Sequence, residues 1–594
     1  MCGIAGIINK HNNFYSSEER LAKMLNKINH RGPDDLGMHS FLHSSLGMTR
    51  LSIIDLESGS QPIHSNDESI VLFCNGEIYN YLKLKSQFCK DYKFKSSSDV
   101  EVIIPLYQKF GIDSFKMLDG MFSISIIDKR KEEIVISRDR FGIKPLYYYF
   151  DDQSFLFSSE IKSILAIKPE LKINKNVFKD YLLRGFSLNS KSCWDGINIL
   201  KPGSIISVPI NNYSKFEIKK YYKKSKEKEL YDRHEAVLKL RQAVIKSVES
   251  QLMSDVPLGI FLSGGLDSSI ITGIVSQILD IKVPTFSVDF DKKGYSEKNK
   301  FSYVYNKFSV ENQIININSD IIESINDLVL ACDEPFGDPA ALATLRLCEI
   351  SSKSIKVALS GDGSDEYMYG YGHNKISINK KYKWFKRTSK KILENIPIIS
   401  PIQLSLLYRT TQNTGYPILS IYEIIGDKIF LNYSNQDFLN RFNKIEEYDR
   451  DSYLPNDILY KTDRTSMFTS LETRVPFLSN EVVNVAERIP KNFQMRNGIN
   501  KSVLAESFSD ILDENIINQN KHGFTLPLKF WITRKFSKTQ LVNELSNSDL
   551  KVMINLKFIK KLINQTYASS FDHSRFIYRL LVASQWIKAY RPSL

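Results

Sequence analysis

The cysteine at position 2 could supply a nucleophile together with its own base. If Met1 is removed, a thiol and a free α-amine lie on one residue, with reference pKa values of about 8.5 and about 7.7–8.0. A thiolate formed beside that amine can carry out acyl transfer without a histidine. The dipeptide alone is equally compatible with an ordinary cysteine, but the segment that follows, Gly3 to Ile7, favours the catalytic interpretation.

A second candidate site is the segment 263–269, Ser-Gly-Gly-Leu-Asp-Ser-Ser, which lies between an apolar strand pattern and a helix pattern. Two glycines allow a tight turn, and the amides and hydroxyls at a helix start suit a phosphate or pyrophosphate. Asp267 is a natural Mg²⁺ ligand beside such a group. No lysine follows the glycines, so this is not a Walker A loop. The segment resembles the PP-loop of ATP pyrophosphatases, which cleave ATP to AMP and pyrophosphate.

The segment 360–366, Ser-Gly-Asp-Gly-Ser-Asp-Glu, repeats this arrangement after another strand pattern. Its acids, Asp362, Asp365 and Glu366, could handle Mg²⁺ and an amine nucleophile. A capped helix start, with acids at its positive end, explains the segment equally well in isolation. Together with segment 263–269, it favours a joint ATP–Mg²⁺ site.

The elements that must position these residues differ between the two halves of the chain. The first two hundred residues show short strand patterns at 70–74, 121–127, 134–137 and 146–150. Beyond a charged run at 223–229, strands alternate with helices, which predicts a parallel sheet covered on both faces. Ligands of such sheets bind at the carboxyl ends of the strands, where segments 263–269 and 360–366 lie. The chain beyond residue 375 is predicted to be mostly helical.

The length of 594 residues predicts two domains, or two domains and an accessory lobe, and 42% apolar with 12% aromatic residues supply ample core. Six separated cysteines without a CxxC pair indicate a reducing compartment and argue against disulfides or a zinc site. No signal peptide is predicted, and the most apolar later stretch, 396–408, is short and contains two prolines. We therefore expect a soluble, cytoplasmic protein.

The net charge of +13 leaves the partner open, because charge alone does not define a function. The densest basic patch, residues 380–391, contains seven Lys and Arg residues interleaved with Tyr382, Trp384 and Phe385. Such a patch could bind a polyanion, but a solvated amphipathic helix with buried rings is favoured. A nucleic-acid partner is accordingly disfavoured.

Taken together, the motifs resemble those of glutamine-hydrolysing asparagine synthetases of the bacterial B type over nearly the full chain. In the first half the resemblance rests on Met1-Cys-Gly-Ile-Ala-Gly6, His30-Arg-Gly-Pro-Asp34, Arg50-Leu-Ser-Ile-Ile54, Asn75-Gly-Glu77, Ser98-Asp99 and Arg138-Asp-Arg-Phe-Gly-Ile-Lys-Pro-Leu-Tyr147. In the second half it rests on Ser254-Asp-Val-Pro257, the segments 263–269 and 360–366, Glu472-Thr-Arg-Val-Pro-Phe-Leu478 and Lys521-His-Gly-Phe524.

The resemblance implies that residues 1–215 form a class II glutamine amidotransferase with the αββα sandwich of an N-terminal-nucleophile hydrolase. Cys2 would attack the side-chain amide of glutamine, giving a thioester and ammonia, and the oxyanion would be held by Asn75 and the amide of Gly76. The implied glutamine-binding residues are Arg50, Leu51, Ser52, Ile53, Ile54, Asn75, Gly76, Glu77 and Asp99. Arg50 suits the α-carboxylate of glutamine, and Glu77 and Asp99 suit its α-ammonium.

The resemblance further implies a linker at 216–235 and, at 236–594, an α/β PP-loop synthetase domain with a parallel sheet and a helical C-terminal part. The implied ATP-binding residues are Leu262, Ser263, Gly264, Gly265, Leu266, Asp267, Ser268, Ser269, Val288, Ser360, Gly361, Lys501 and Lys521. Asp267 and Asp365 would hold Mg²⁺, and Asp362 would act as general base when ammonia attacks an acyl-adenylate. Because acyl-adenylates hydrolyse readily, an internal ammonia passage between the domains is expected.

The reaction favoured by the resemblance is ATP-dependent amidation of L-aspartate to L-asparagine, with small-molecule substrates and no membrane partner. The alternative keeps the mechanism but amidates another carboxylate, such as a sugar acid in surface-polysaccharide synthesis. Departures from the usual pattern at Asn312 and at Tyr367-Met-Tyr369 bear on this choice. An RNA-modifying protein and a β-lactam-synthetase-like enzyme leave the glutaminase motifs unexplained. The oligomeric state stays open, with a homodimer as one option.

Overall fold

The computed structural model describes residues 2–10, 14–187, 190–222, 229–372, 445–496, 499–517, 526–546, 549–569 and 572–592. All structural statements concern these residues. The basic patch 380–391, most of the charged run 223–229 and the predicted ATP-binding residue Lys521 lie outside them.

The first domain is built from antiparallel strands. In chain order they are β1 (Gly3–Asn9), β2 (Asp35–Phe41), β3 (Ser44–Arg50), β4 (Ile63–His64), β5 (Ile70–Ile78), β6 (Gly120–Asp128), β7 (Glu133–Arg138), β8 (Tyr147–Phe150), β9 (Ser154–Ser158), β10 (Asn198–Ile199), β11 (Ser204–Pro209) and β12 (Glu217–Lys220). One sheet has the order β10-β8-β9-β1-β3-β2, and the other has the order β12-β11-β7-β6-β5-β4. Every residue of β1 is buried, which explains why its side chains from Gly3 to Ile8 are all small or apolar.

The two sheets pack face to face, and helices cover their outer faces. The layer between them contains Ile4, Leu46, Phe73 and Ile136, all fully buried. The helices of this domain are Phe14–Lys27, Tyr81–Phe88, Ile103–Phe110, Ile161–Leu165 and Lys175–Arg184. The helix Phe14–Lys27 contacts β1 and β3, whereas side chains of the two following helices pack against β5 and β6. This αββα arrangement confirms the predicted fold of the first domain.

The second domain contains a parallel sheet. Its strands are β13 (Leu258–Phe261), β14 (Thr285–Phe290), β15 (Asn312–Ile317), β16 (Val357–Leu359) and β17 (Glu472–Arg474). Their order is β15-β14-β13-β16-β17, and every adjacent pair is parallel. The chain order reverses between β13 and β16, so their carboxyl ends form the crevice in which such sheets bind ligands.

Helices lie on both faces of the parallel sheet, as predicted. The α-helices of this domain are Arg233–Gln251, Leu266–Gly273, Lys298–Phe308, Ile325–Cys332, Ala340–Ser351, Ser364–Tyr367, Ile445–Tyr448, Leu459–Met467, Asn480–Arg488, Lys491–Gln494, Ser502–Ser507, Glu514–Ile517, Leu528–Lys535, Lys538–Ser546, Leu556–Tyr567 and Ser574–Tyr590. The first of these begins where the Asp232 carboxylate accepts a hydrogen bond from the Glu235 amide, and it buries Ala236, Leu240 and Val244 on one face.

The connection between the domains is shorter than the linker predicted at 216–235. Glu217–Lys220 form β12, the edge strand of the second sheet, and the helix of the next domain already begins at Arg233. All four residues of β12 are exposed, so their sequence carries no apolar alternation from which a strand could be predicted. In the described part of the chain, none of the helices is both long and apolar enough to span a lipid bilayer.

Candidate active sites

The candidate nucleophile Cys2 lies beside Asn75 in the layer between the two sheets of the first domain. Cys2 is 6% exposed, and its backbone nitrogen donates a 3.0 Å hydrogen bond to Asn75 Oδ1. The amide nitrogen of Asn75 is therefore a donor, and it lies 3.4 Å from Ser159 Oγ. Burial raises the pKa of the Cys2 thiol, whereas the Leu51 amide and the Arg50 charge oppose the increase. Forming the thiolate consequently requires a base close to the sulfur.

Gly76, the second candidate oxyanion donor, follows Asn75 in β5 and cannot carry a side chain. A Cβ atom there would lie 2.0 Å from the Met121 carbonyl oxygen in the adjacent strand β6. The backbone of β5 thus approaches β6 closely at the residue next to Asn75, and this contact fixes the position of the Gly76 amide.

Arg50 and the loop that follows it form one side of this site. The Arg50 guanidinium donates through Nη2 to the carbonyl oxygens of Ile54 and Asp55, at 3.1 and 2.7 Å. Leu51 and Ile53 are buried against Val357 of the parallel sheet. The loop is therefore held between the two domains, and the guanidinium is held by the loop.

Glu77 and Asp99 form a buried acidic pair on another side of the site. They are 6% and 3% exposed. Burial raises the pKa of Asp99 to about 6, although the Ile78 amide that donates to its carboxylate opposes the shift. Burial and the charge of Asp99 raise the pKa of Glu77 well above its usual value. Arg474 Nη2, from β17 of the second domain, lies 3.8 Å from Glu77 Oε2 and partly compensates this charge.

In the second domain, the segment 263–269 forms a turn between β13 and the helix Leu266–Gly273. Gly264 has a φ of +75°, and a Cβ atom there would lie 2.5 Å from the Phe301 backbone nitrogen, so only glycine fits. Ser263 Oγ accepts a hydrogen bond from the Gly265 amide and lies 3.1 Å from Ser268 Oγ. The amides and hydroxyls at this helix start thus converge, as a phosphate site requires.

The segment 360–366 meets this turn, as the sequence predicted. A Cβ atom at Gly361 would lie 2.9 Å from Asp267 Cβ, so the two loops touch at the carboxyl ends of β13 and β16. Val288 lies in β14, the neighbour of β13, and the Ser287 hydroxyl donates a 2.6 Å hydrogen bond to the Leu262 carbonyl. The predicted ATP-binding residues that the structure describes in these segments therefore share one edge of the sheet.

Lys501 lies between the two carboxylates predicted to hold Mg²⁺. Its Nζ is 2.7 Å from both oxygens of Asp267, 2.6 Å from Asp365 Oδ1 and 2.6 Å from Ser364 Oγ. Burial alone would lower the pKa of Lys501, but the two carboxylates raise it to about 12. Carboxylate oxygens are ligands that Mg²⁺ prefers, but the point on which these two carboxylates converge is occupied by the Lys501 ammonium.

Asp362, the candidate general base, is held by two hydroxyls. Ser360 Oγ and Thr462 Oγ1 donate to Asp362 Oδ2, at 2.9 and 2.8 Å. Ser360 belongs to the same loop, whereas Thr462 comes from the helix Leu459–Met467. Thr462 is not predictable from the sequence, because nothing in the local pattern of that helix indicates which residue it faces.

Two further contacts of this region join the two domains and are not predictable from local sequence patterns. Arg474, in the second domain, lies close to Glu77 in the first. Arg31 belongs to the motif His30-Arg-Gly-Pro-Asp34 and forms a bidentate ion pair with Asp463. Asn312 lies at the first residue of β15 and contacts the Thr285 and Ser287 hydroxyls. Through Ser287, whose hydroxyl also contacts the Leu262 carbonyl, it is connected to the carboxyl end of β13.

Comparison with known proteins gives matches to both halves of the chain. A family model described as asparagine synthase matches residues 239–588, and one described as glutamine amidotransferase domain matches residues 1–222. The chain is 31% identical to asparagine synthetase [glutamine-hydrolyzing] 1 of Bacillus subtilis (strain 168), over 99% of this chain and 96% of that protein. It is 26% identical to asparagine synthetase [glutamine-hydrolyzing] 3 of the same organism, over 100% and 99%. It is also 26% identical to amidase chyE of Penicillium rubens (strain ATCC 28089 / DSM 1075 / NRRL 1951 / Wisconsin 54-1255), over 89% of each.

Proposed function

The chain belongs to the asparagine synthase family, and on this premise we propose that it converts L-aspartate to L-asparagine with ATP and with nitrogen from glutamine. The observation that carries the proposal is the pairing, in one chain, of the Cys2–Asn75 contact with a second site in which segments 263–269 and 360–366 touch. One site suits amide hydrolysis, and the other suits a nucleotide.

In the glutaminase reaction, removal of Met1 turns the Cys2 nitrogen into an amine. That nitrogen can donate one hydrogen to Asn75 Oδ1 and still accept the thiol proton through its lone pair. The thiolate attacks the side-chain amide carbon of glutamine, and the Asn75 amide and the Gly76 N–H stabilise the oxyanion. The amine then gives its proton to the leaving ammonia, and water releases glutamate from the thioester.

Glutamine is oriented by charges at its other end. The Arg50 guanidinium attracts the α-carboxylate, and the acidic pair Glu77 and Asp99 attracts the α-ammonium. Both acids are buried and close to each other, so binding a cation relieves their mutual repulsion. This arrangement selects an α-amino acid over a simple amide.

In the synthetase reaction, the β-carboxylate of aspartate attacks the α-phosphorus of ATP, forming the acyl-adenylate and releasing pyrophosphate. The turn 263–269 binds the phosphates, and Lys501 offsets the charge of the departing pyrophosphate. Asp267 and Asp365 would hold Mg²⁺, which supplies charge neutralisation to the phosphates. Ammonia then attacks the acyl carbon, Asp362 accepts its proton and AMP leaves.

A narrow cavity lies between the domains, but it is too small to admit a water molecule, so the ammonia passage stays a prediction. It is lined from the first domain by Tyr79, Asp119, Gly120 and Ile143, and from the second by Gln251, Val475, Leu478 and Ser479. Tyr79 lies two residues beyond Glu77. Leu478 packs so closely on Gly363 that a Cβ atom at Gly363 would lie 2.3 Å from the Leu478 side chain. The cavity thus borders neighbours of both candidate sites.

We place the reaction in a reducing compartment such as the cytoplasm. All six cysteines, Cys2, Cys74, Cys89, Cys193, Cys332 and Cys348, are buried free thiols. A chain that depends on a free Cys2 thiol is best kept where thiols stay reduced.

The test is AMP and pyrophosphate formation by the purified enzyme with ammonia or glutamine against a panel of carboxylates. AMP formation that depends on aspartate, and asparagine as product, would support the proposal. AMP formation with a sugar acid but not with aspartate would retain the mechanism and replace the acceptor. Glutamine hydrolysis without any carboxylate-dependent AMP formation would overturn the synthetase assignment.

A further inference from the structure

Three consecutive residues of the helix Leu459–Met467, hereafter the bridging helix, contact groups of both candidate sites. Thr462, Asp463 and Arg464 are 8%, 5% and 1% exposed. Successive side chains of a helix point in different directions, so neighbours in sequence can serve different sites.

Asp463 holds the arginine that contacts the nucleophile's backbone. Its two carboxylate oxygens accept hydrogen bonds from Arg31 Nη1 and Nη2, at 2.9 and 3.0 Å. Arg31 is fully buried, and its Nε donates a 3.0 Å hydrogen bond to the Cys2 carbonyl oxygen. Because a guanidinium is planar and rigid, fixing two of its nitrogens fixes the direction in which the third donates. Asp463, in the second domain, thereby orients Cys2 in the first.

Arg464 makes a parallel connection to the candidate oxyanion donor. Its Nη1 lies 2.9 Å from Glu160 Oε1, and its Nη2 donates to the Ser159 carbonyl, at 3.2 Å. Glu160 also pairs with Arg31 at 2.8 Å, so the two arginines share one carboxylate. The Ser159 hydroxyl oxygen lies 3.4 Å from Asn75 Nδ2 and accepts a 3.0 Å hydrogen bond from the Ile4 amide.

Thr462 serves the other site. Its hydroxyl donates a 2.8 Å hydrogen bond to Asp362 Oδ2. Within one turn of one helix, therefore, Thr462 orients the candidate base of the synthetase, while the next two residues orient the nucleophile and oxyanion donor of the glutaminase.

We propose that the bridging helix is a positioning element shared by the two reactions, through Asp463 and Arg464 for glutamine hydrolysis and through Thr462 for amidation. That the two sites catalyse glutamine hydrolysis and amidation rests on the proposed function. The contacts predict that the glutaminase site is incomplete without residues of the synthetase domain, and that adjacent substitutions in this helix impair different reactions.

The experiment compares Asp463→Asn and Thr462→Val with a control on the same helix, Thr465→Val. Thr465 is buried, and its hydroxyl donates within the helix to the Lys461 carbonyl. Two activities are measured in the full-length enzyme: glutamate release from glutamine alone, and AMP formation with ammonia and the acceptor that the carboxylate panel identifies. Folding is followed by circular dichroism.

Asp463→Asn should lower kcat for glutamine hydrolysis by about 10- to 100-fold, as expected for a misplaced nucleophile, with little change in KM for glutamine. Its ammonia-dependent AMP formation should stay close to wild type. Thr462→Val should show the opposite pattern, and Thr465→Val should change neither activity. A merely structural role would instead lower both activities together, or raise KM.

If Asp463→Asn does not fold, Asp463→Glu keeps the buried charge and displaces it by one methylene, and the same selective loss of glutaminase kcat is expected. Equal losses of both activities, or no loss in any variant beyond that of Thr465→Val, would overturn the inference. A wild-type enzyme that does not hydrolyse glutamine would instead overturn the proposed function, because that reaction requires no acceptor.

Discussion

The backbone nitrogen of Cys2 and the side-chain oxygen of Asn75 are joined by a 3.0 Å hydrogen bond. This contact sets the orientation of the Asn75 amide, because an oxygen that accepts from Cys2 leaves the nitrogen as the donor. The residue that carries the nucleophile thus orients the group that would stabilise the oxyanion formed by its attack.

Replacing the nucleophile should separate the two reactions. Cys2→Ala is expected to abolish glutamine hydrolysis and glutamine-dependent product formation, because the thioester cannot form, while ammonia-dependent formation is retained. Glutamate and AMP release measure the two reactions. Cys89→Ala, which removes another buried thiol of the same domain, serves as control. If Cys2→Ala also loses ammonia-dependent activity while Cys89→Ala keeps it, the two reactions do not have separate sites.

The α-amine can be tested independently of the thiol. An extension fused before Met1 keeps the Cys2 nitrogen in a peptide bond, where its lone pair is delocalised and cannot accept a proton. Such a protein should lose glutaminase activity and keep ammonia-dependent activity, whereas the same extension at the C-terminus should leave both unchanged. Full glutamine hydrolysis by the N-terminally extended protein would rule out the amine as base.

The carboxylate of Asp267 should matter only to the synthetase. Asp267→Asn removes a charge that contacts Lys501 and that fits an Mg²⁺ ligand. AMP formation should fall by at least about 100-fold, the scale of losing one group that stabilises transition-state charge. Glutamine hydrolysis should persist. The control, Asp510→Asn, removes a half-exposed partner of Arg241 and should affect neither reaction. Undiminished AMP formation by Asp267→Asn would refute the role of this carboxylate.

The pH dependence of glutamine use should follow Asp99. Burial raises the pKa of Asp99 to about 6, so its neutral form persists to a higher pH than in an exposed aspartate. The ionised form attracts the α-ammonium, and kcat/KM for glutamine should therefore fall as the pH drops through about 6, approaching tenfold per unit. Ammonia-dependent synthesis should not share this dependence. Asp99→Asn should remove the contribution of Asp99 and leave the decrease caused by protonation of the Cys2 amine. An unchanged pH profile in Asp99→Asn would assign the titration to another group.

Two adjacent glycines of the turn 263–269 should respond differently to alanine. Gly264→Ala places a Cβ 2.5 Å from the Phe301 backbone nitrogen at a φ of +75°, which costs at least about 1–2 kcal/mol. Gly265 has a φ of −77°, and its Cβ would lie 3.4 Å from Ser263 Oγ, so Gly265→Ala is tolerated. Thermal unfolding should show a lower midpoint for Gly264→Ala only. Equal midpoints would show that the turn relaxes without cost.

Contiguous motifs made most of each site predictable. The residues around Cys2, Asn75 and segments 263–269 and 360–366 each form a short sequence whose spacing already specifies a turn or a strand end. The alternation of strands and helices after residue 236 likewise indicated the parallel sheet, because parallel neighbours need a crossover connection, which is usually a helix.

Contacts between distant parts of the chain could not be predicted in this way. Arg31 and Asp463 are separated by 432 positions, and Thr462 and Asp362 by 100. A local pattern determines which face of a helix is buried, but the partner on that face depends on how whole domains pack. The exposed edge strand Glu217–Lys220 was missed for the complementary reason that it has no buried face.

The bridging helix has a consequence for hybrid enzymes. Residues 462–464 belong by sequence to the synthetase, yet two of them complete the hydrolytic site of the other half. A chimera can combine the amidotransferase half of one family member with the ligase half of another. Such a protein takes Arg31, Ser159 and Glu160 from the first protein, but it takes their partners Asp463 and Arg464 from the second. Such recombinants should work best when the short stretch 462–464 is inherited with the N-terminal half, although it lies more than two hundred residues beyond the junction.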